Sequence, residues 1–221
     1  MKLICQDNNH AVLDEVFNQE VFSSFWNYFN TLDFVDRSVN GWVNVWRLTD
    51  GRILAGRPFY HSEYPSNSPM DYVTFTIHSL ATQYFKDIVG KEGEDWNEIL
   101  LTPYLYATGT KISWHDDSSY TGACIFYPHK DWNPNWGGEL LIAKTDEENF
   151  QGVDQILHEN VKPILNKYGM GNYVSPLPNR MVFTKGKVWH SINRVDQCAG
   201  DHVRCSVVAF FMKNKISEMQ V

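Results

Sequence analysis

From about Ile99 onward, the chain is a series of short apolar runs separated by turn residues. Each run has the length of a strand, and Gly or Pro stands in several of the intervals, which is typical of an all-β sandwich or barrel. The runs are Ile99–Tyr106, Lys111–His115, Ala123–Tyr127, Glu139–Ala143, Arg180–Thr184, Val188–Asn193 and Arg204–Phe211. We therefore predict a mainly β fold with helices, whose core is a double-stranded β-helix (jelly roll) formed by about residues 99–213.

The first part of the chain has the patterns of helices. A helix is predicted from the N-cap residue Asn18 to about Asn30, with aromatic residues at helical spacing. A second helix is predicted from Ser68 to about Val89, because Ser, Pro and Asp stand in order at its start. We expect residues 1–98 to buttress the jelly roll within a single domain of residues 1–221, since no linker-like composition separates the two parts.

Shorter patterns predict four further elements. Strands are expected at Ala11–Leu13, Gly41–Arg47 and Ile53–Ala55, where apolar residues alternate or cluster beside turn signals. A helical insert, roughly Phe150–Lys167, interrupts the strands of the jelly roll.

Charge and cysteine usage narrow the possible partners. The 221 residues have a formal net charge of −7, which argues against nucleic acid or an anionic membrane as the main partner because both favour a basic surface. The 4 cysteines form no CxxC pair, so a zinc knuckle is not indicated and a reducing, cytoplasmic location is expected. No apolar stretch approaches the length of a membrane span. A small-molecule or peptidyl substrate is the expected partner.

The segment around His115 has the pattern of a metal site. His115 and Asp117 are separated by one residue, so on an extended strand their side chains point to the same face. With His190 they would form a 2-His-1-carboxylate facial triad, which leaves open positions on non-haem Fe(II). We predict these three residues as metal ligands. Asp116 is the rival carboxylate, but it points to the opposite strand face, and His202 is a rival imidazole in a polar loop.

Arg204 lies within an apolar strand, where an unpaired charge would be costly. A guanidinium matches a carboxylate bidentately, so an acidic cosubstrate is one expected partner and an acid of the protein itself is the alternative. Ser206 lies on the same strand face and can donate to the same carboxylate. Arg194 is a rival anchor in the preceding loop.

Taken in order, these motifs resemble those of the 2-oxoglutarate-dependent Fe(II) dioxygenases. Within that family they resemble the prolyl 4-hydroxylase-like branch, with its hypoxia-sensing prolyl hydroxylases and bacterial relatives. An HxD tripeptide alone is weak, but the ordered set over about Leu100–Phe211 is specific. The motifs are Tyr106-Ala-Thr-Gly109, His115-x-Asp117, Cys124-Ile-Phe-Tyr127, Trp136-Gly-Gly-Glu-Leu140, Pro176-Leu-Pro-Asn179, His190 and Arg204-x-Ser206.

Two positions depart from the pattern of the family. Ile112 stands where many relatives have a Tyr, so any cosubstrate contact of that Tyr is lost. Asn179 stands where the relatives have Gly in a Pro-x-x-Gly turn. The turn can survive, because Asn tolerates the left-handed conformation better than most residues.

The resemblance implies an enzyme that uses Fe(II), 2-oxoglutarate and O2 to hydroxylate an unactivated carbon. It implies that Arg204, Ser206 and Tyr127 bind the distal carboxylate of 2-oxoglutarate and that Tyr106 lines the cosubstrate pocket, with no catalytic residue beyond the metal ligands. A carboxylate at Asp117 favours hydroxylation, since halogenating relatives have a small residue there. The implied substrate is a prolyl residue in a peptide or protein, or a free amino acid such as proline.

Two other classes of function stay open at this point. A non-catalytic metal-binding jelly roll, acting as a sensor or interaction module, predicts metal binding without 2-oxoglutarate turnover. A cupin-type metal hydrolase or isomerase predicts activity without O2 and no need for Arg204. Arg47, Arg52 and Arg57 are either contacts for an acidic substrate or isolated surface residues.

Overall fold

The structure is a computed structural model that describes residues 1–37, 50–145 and 158–213. The predicted strand at Gly41–Arg47 and the first part of the predicted helical insert lie outside the described residues. The strands are β1 Lys2–Gln6, β2 His10–Asp14, β3 Phe34–Asp36, β4 Ile53–Gly56, β5 Phe59–Tyr60, β6 Glu98–Tyr106, β7 Ile112–His115, β8 Gly122–Tyr127, β9 Leu140–Ala143, β10 Gly171–Val174, β11 Arg180–Lys185, β12 His190–Ile192 and β13 Arg204–Met212. The helices are α1 Gln19–Phe29, α2 Met70–Gln83, α3 Lys86–Val89 and α4 His158–Tyr168.

The strands form two antiparallel sheets that pack face to face. The major sheet has the order β1-β2-β11-β8-β13-β6-β4-β3, with β5 paired to β6, and the minor sheet has the order β10-β9-β12-β7. Apolar side chains of both sheets meet between them; Ile125 of β8 and Ile142 of β9, for example, belong to one buried cluster. This arrangement confirms the predicted mainly β jelly roll. The N-terminal strands β2 and β4 extend the major sheet on either side of the later strands.

Helices α1, α2 and α3 cover the outer face of the major sheet. Helix α1 begins as predicted, because the Asn18 side chain accepts a hydrogen bond from the Val21 N–H at 2.9 Å. The rings of Phe22 and Phe25 contact Phe126 of β8 edge to face, at centroid distances of 6.4 and 5.5 Å. The apolar face of α1 is thus buried against the sheet.

The single helix predicted to run to Val89 is wrong at Tyr84 and Phe85, where it divides into α2 and α3. Helix α2 ends at Gln83, and Tyr84 has φ −123° and ψ −32°, outside the helical range. The change of direction places Phe85 against Phe183 of β11, at a centroid distance of 4.7 Å, and begins the short helix α3. Phe85 and Val89 are both buried, so packing against the sheet outweighs continuation of the helix.

Strand β13 shows how the sheet separates its two faces. Cys205, Val207, Ala209 and Phe211 belong to the core beneath the helices. The alternate residues Arg204, Ser206, Val208 and Phe210 therefore face the space between the sheets. The site described below lies in that space. Among the described helices none combines the length and apolar character needed to cross a bilayer, and the longest, α2, has 14 residues.

Candidate metal and cosubstrate site

Three potential metal ligands converge at one end of the minor sheet. His115 ends β7 and lies directly opposite His190, which begins the neighbouring strand β12. Asp117 follows β7, and its carboxylate oxygens lie 3.9 Å from His115 Nε2 and 3.4 Å from His190 Nε2. The ligand atoms all lie within 4.8 Å of one another, and no other such group of His, Cys, Asp or Glu occurs in the part of the chain that the structure describes.

Backbone carbonyls orient both imidazoles. His115 Nδ1 lies 2.7 Å from the Ser113 carbonyl oxygen, and His190 Nδ1 lies 2.8 Å from that of Val188. Each Nδ1 must donate, so each Nε2 keeps its lone pair on the side of Asp117. Burial, together with the neighbouring His190, lowers the pKa of His115 to about 4. The ring is therefore neutral near pH 7, which is the form that binds metal.

The rival ligands lie away from this group. The Asp116 carboxylate accepts a hydrogen bond from the Ser118 N–H at 3.2 Å and is not one of the three converging side chains. His202 is exposed and stacks on Trp136, at a centroid distance of 4.0 Å. Neither side chain is placed to complete the group of His115, Asp117 and His190.

The Arg204 side chain is fully buried beside the space between the sheets. Its Nε donates to the Gly138 carbonyl at 2.7 Å, and its Nη2 donates to the Tyr127 hydroxyl at 3.2 Å. The guanidinium carbon lies 4.9 Å from the ring centroid of Tyr106 and 5.0 Å from that of Tyr127. Within the described ranges, no carboxylate of the protein forms a salt bridge with Arg204. The alternative of a structural ion pair is therefore not found there.

Two buried polar atoms near Arg204 have no hydrogen-bond partner. They are Nη1 of Arg204 itself and Oγ of Ser206, two residues further along the same strand face. Because buried polar groups are nearly always paired, an unpaired guanidinium nitrogen and hydroxyl close together indicate a missing ligand. Both can donate to a carboxylate, so this donor set fits an acidic cosubstrate.

Gly138 allows the Arg204 side chain to lie where it does. Its φ of +73° is a conformation that L side chains rarely adopt, and a Cβ would lie 2.8 Å from Arg204 Cδ. Trp132 donates from Nε1 to the Gly137 carbonyl at 2.9 Å and fixes the preceding residue. Arg194, the rival anchor, is exposed and donates to the Gly109 carbonyl.

A cavity of about 380 Å³ lies between the sheets and includes the three converging side chains in its wall. Tyr106 lines this cavity and also contacts the Arg204 guanidinium, so the buried Arg lies next to the cavity. Ile112 and Val208 make other parts of the wall apolar. The wall at Ile112 therefore offers no hydroxyl to a ligand, as expected from the sequence.

One buried histidine near the anchor was missed in the sequence. His129 donates from Nε2 to the Pro176 carbonyl at 2.6 Å and accepts at Nδ1 from the Cys205 N–H at 3.3 Å. Burial lowers its pKa to about 4, and the charge of Arg204 acts in the same direction. The available signal was its position two residues after Tyr127, at the end of a fully buried strand.

A jelly roll with a 2-His-1-carboxylate group at one end of its minor sheet defines a class of metal-dependent oxygenases. A sequence profile of the 2OG-Fe(II) oxygenase superfamily matches residues 101–212, and the chain belongs to this superfamily. The protein is accordingly a dioxygenase that uses Fe(II) and 2-oxoglutarate, as the ordered motifs predicted.

Solved structures support the fold at low sequence identity. A prolyl-4-hydroxylase from Pseudomonas putida superposes with a TM-score of 0.61 at 13% identity, over 93% of each chain. HygX from Streptomyces hygroscopicus, with nickel, 2-oxoglutarate and hygromycin B bound, gives 0.59 at 13% identity, over 96% of this chain and 86% of that one. A Trichoplax adhaerens prolyl hydroxylase in complex with a peptide fragment gives 0.58 at 12% identity, over 93% and 84%. The sequence has no significant match among curated proteins.

Proposed function

We propose that the protein hydroxylates an unactivated carbon of an amino acid substrate, either a prolyl residue in a peptide or a free amino acid such as proline. The observation that carries the cosubstrate part of this proposal is the pair of buried donors without partners, Arg204 Nη1 and Ser206 Oγ. A carboxylate would satisfy both at once.

In this proposal His115, Asp117 and His190 hold Fe(II). The Ser113 and Val188 carbonyls keep the two imidazoles in one tautomer and one orientation, so little rearrangement is needed when the metal binds. When bound, Fe(II) and 2-oxoglutarate supply the oxidising chemistry, which converts O2 and 2-oxoglutarate to succinate, CO2 and a hydroxylated product. The carboxylate of Asp117 supports hydroxylation over halogenation, as the family resemblance implies.

Arg204, Ser206 and Tyr127 hold the distal carboxylate of 2-oxoglutarate in this proposal. Burial raises the pKa of the Tyr127 hydroxyl, although the Arg204 charge opposes the effect, so the phenol keeps its proton near pH 7. It accepts from Arg204 and can donate its own proton to the carboxylate. The Tyr106 ring packs against the Arg204 guanidinium, and a buried, dry anchor strengthens the ionic contact.

The substrate part of the proposal rests on the family resemblance and on the shape of the site. The similar structures include prolyl hydroxylases, and also an α-ketoglutarate-dependent epimerase, SnoN, from nogalamycin biosynthesis, so the fold alone does not fix the substrate. A cavity of about 380 Å³ with an apolar wall suits a compact substrate. We retain one domain of residues 1–221 and a cytoplasmic location as predictions, and the four free cysteines agree with the latter.

The two alternative classes of function explain fewer features of the site. A sensor or interaction module, or a cupin-type hydrolase or isomerase, gives no reason for unpaired donors at Arg204 and Ser206. Membership of the oxygenase superfamily also favours turnover of 2-oxoglutarate over both.

The decisive experiment adds Fe(II) and then 2-oxoglutarate to the protein without oxygen. We expect the visible charge-transfer band of the chelate in the wild type and a weaker band at equal 2-oxoglutarate in Arg204→Ala. Arg194→Ala is the matched control, because Arg194 is exposed and donates to the Gly109 carbonyl, and it should keep the full band. Bound iron without any band in the wild type would contradict the proposed cosubstrate site.

A further inference from the structure

Arg37 is a cation in the wall of the cavity that the proposed chemistry does not use. It directly follows β3, and its backbone N–H donates to the Ile53 carbonyl at 2.9 Å, which fixes its position beside β4. The side chain is half-buried and lines the same cavity as His115, Asp117 and His190. None of the salt bridges among the described residues includes Arg37.

Tyrosines connect Arg37 with the metal-binding end of the cavity. Burial raises the pKa of Tyr104 to about 12, while the charge of Arg37 opposes that effect and the charge of Asp117 adds to it. Tyr104 is therefore within electrostatic range of both groups. Tyr120 also lines this wall, where its ring stacks on Phe210 at a centroid distance of 4.3 Å. Arg37, Tyr104 and Tyr120 thus line the same cavity as the candidate metal ligands.

The charges of the site leave Arg37 without an assigned anion. The two negative charges of 2-oxoglutarate are offset by Arg204 at one end and by the Fe(II)–Asp117 pair at the other. Among the cavity-lining residues that the structure describes, Arg37 is the only Lys or Arg, because Arg204 lies beside the cavity, in contact with Tyr106. A half-buried guanidinium in a largely apolar wall is best satisfied by a carboxylate.

We propose that Arg37 binds the carboxylate of the substrate, and that the substrate is therefore a small free amino acid and not an internal residue of a peptide. The inference rests on the proposed hydroxylase function and selects between its two substrate classes. An internal residue has an amide where a free amino acid has its carboxylate, so it cannot form the ion pair. The Tyr104 and Tyr120 side chains line the same cavity as Arg37 and Asp117, so they can contact the bound substrate.

The test measures binding to the oxygen-free complex of the protein with Fe(II) and 2-oxoglutarate. The probes are a panel of free L-amino acids including proline, the primary amide of each, and N-acetyl-L-prolinamide as a mimic of an internal residue. Calorimetry gives Kd for each probe with wild type, Arg37→Gln and Arg37→Lys. Arg52→Gln is the matched control, because Arg52 is exposed and pairs with Asp36 outside the cavity.

We expect the wild type to bind at least one free amino acid roughly 10- to 100-fold more tightly than its amide, as a charged hydrogen bond allows. Arg37→Gln should lose that preference, Arg37→Lys should keep part of it, and Arg52→Gln should keep all of it. Equal binding of acids and amides, tighter binding of N-acetyl-L-prolinamide, or no binding of any probe would overturn the inference. An unchanged 2-oxoglutarate band in Arg37→Gln would show that the proposed cosubstrate site is intact whatever the probes bind, whereas a weakened band would assign Arg37 to the cosubstrate and overturn the inference.

Discussion

The two faces of strand β13 differ in whether the protein itself completes them. On the outer face, the side chains are buried in an apolar core beneath the helices; they are Cys205, Val207, Ala209 and Phe211. On the inner face, Arg204 and Ser206 are fully buried but each leaves a polar atom without a partner. The helices complete one face, and in our proposal the cosubstrate completes the other.

This difference shows how one strand serves stability and binding at once. Because successive side chains point to opposite faces, a polar binding residue can follow an apolar core residue without disturbing it. The apolar packing on the outer face offsets the free-energy cost of the unpaired donors on the inner face. Substitutions on the outer face should therefore change the free energy of unfolding, and substitutions on the inner face should change binding.

The largest expected effect is loss of activity without loss of fold at Asp117. Replacement by Ala removes one of three proposed metal ligands, and changes in the outer shell alone typically cost 10- to 100-fold. We expect Asp117→Ala to lower 2-oxoglutarate turnover by more than about 1,000-fold, with little change in urea unfolding of the metal-free protein. Succinate release and iron content measure the first part.

Asp116→Ala is the control for that substitution, since Asp116 lies outside the group of converging ligands. It should keep most of the wild-type turnover. Substantial turnover in Asp117→Ala would exclude Asp117 as a required ligand.

At Phe211, on the outer face, we expect the reverse of the effect at Asp117: a loss of stability with little change in binding. Its ring packs against Trp96 and Phe183, at centroid distances of 5.1 and 6.5 Å, and is fully buried. Phe211→Ala should lower the free energy of unfolding by about 3–5 kcal/mol, as for other buried Phe residues. The urea midpoint measures the loss, and the Kd for 2-oxoglutarate should stay within about threefold of wild type wherever the protein is still folded.

Phe210→Ala is the matched partner from the inner face of the same strand. Phe210 is half-buried, stacks on Tyr120 and lines the cavity, so its loss should cost less stability and alter substrate binding more. Similar stability losses in the two variants would remove the distinction between the faces.

The buried His129, which accepts from the Cys205 N–H of β13, predicts that the free energy of unfolding depends on pH. Its pKa is lowered from an ordinary value near 6.5 to about 4, so the unfolded chain binds its proton more readily than the folded one in that interval. Stability from this residue is complete above about pH 6.5, falls as the pH is lowered and levels off near pH 4. The loss is of the order of 3 kcal/mol, because each pKa unit corresponds to about 1.4 kcal/mol.

Urea unfolding from pH 7.5 to 4 tests this dependence. His129→Gln keeps a donor for the Pro176 carbonyl but does not titrate, so its stability should fall less steeply with acidification than that of the wild type. His202→Gln, at an exposed histidine, should keep the wild-type slope. Identical slopes for all three proteins would show that the protonation of His129 is not coupled to folding.

The features that could be predicted from the sequence include the shared strand face in β13, the metal group and the turn at Asn179. Strand alternation in β13 predicted that Arg204 and Ser206 share one face. The spacing of one residue between His115 and Asp117 predicted that their side chains lie together. Asn179 adopts φ +60°, as expected of an Asn in a Gly position, and its side chain also bonds Phe17. These predictions succeeded because they depend on residues close in sequence.

What could not be predicted depends on distant contacts. The break after α2 arises from Phe85 packing on Phe183 across the fold, which no local pattern reveals. Strand β1 is exposed along its whole length and shows no apolar alternation, so pairing with β2 alone defines it. Arg37 has no motif around it, and only the assembled sheet places it in the cavity wall.

The smallest expected change in the free energy of unfolding is that of Arg204→Met, and this variant most directly tests whether the inner face binds the cosubstrate. Arg204→Met keeps a long apolar stem, and the gain from removing a costly unpaired charge should offset the loss of its bonds to Gly138 and Tyr127. We expect the unfolding free energy of the metal-free protein to change by no more than about 1 kcal/mol. Added without oxygen to the Fe(II)-loaded protein, 2-oxoglutarate at about 100 times the wild-type Kd should stabilise the wild type by roughly 2.7 kcal/mol.

Arg204→Met should gain much less from the same addition, since loss of a charged hydrogen bond weakens binding roughly 10- to 100-fold. Ser206→Ala, which removes one neutral donor, should lie between the two. A large loss of stability in the metal-free Arg204→Met protein, with ligand stabilisation unchanged, would mean that Arg204 completes the inner face as a structural residue. In that case the two faces of β13 would both be finished by the protein, and the unpaired Nη1 would not be the mark of a missing cosubstrate.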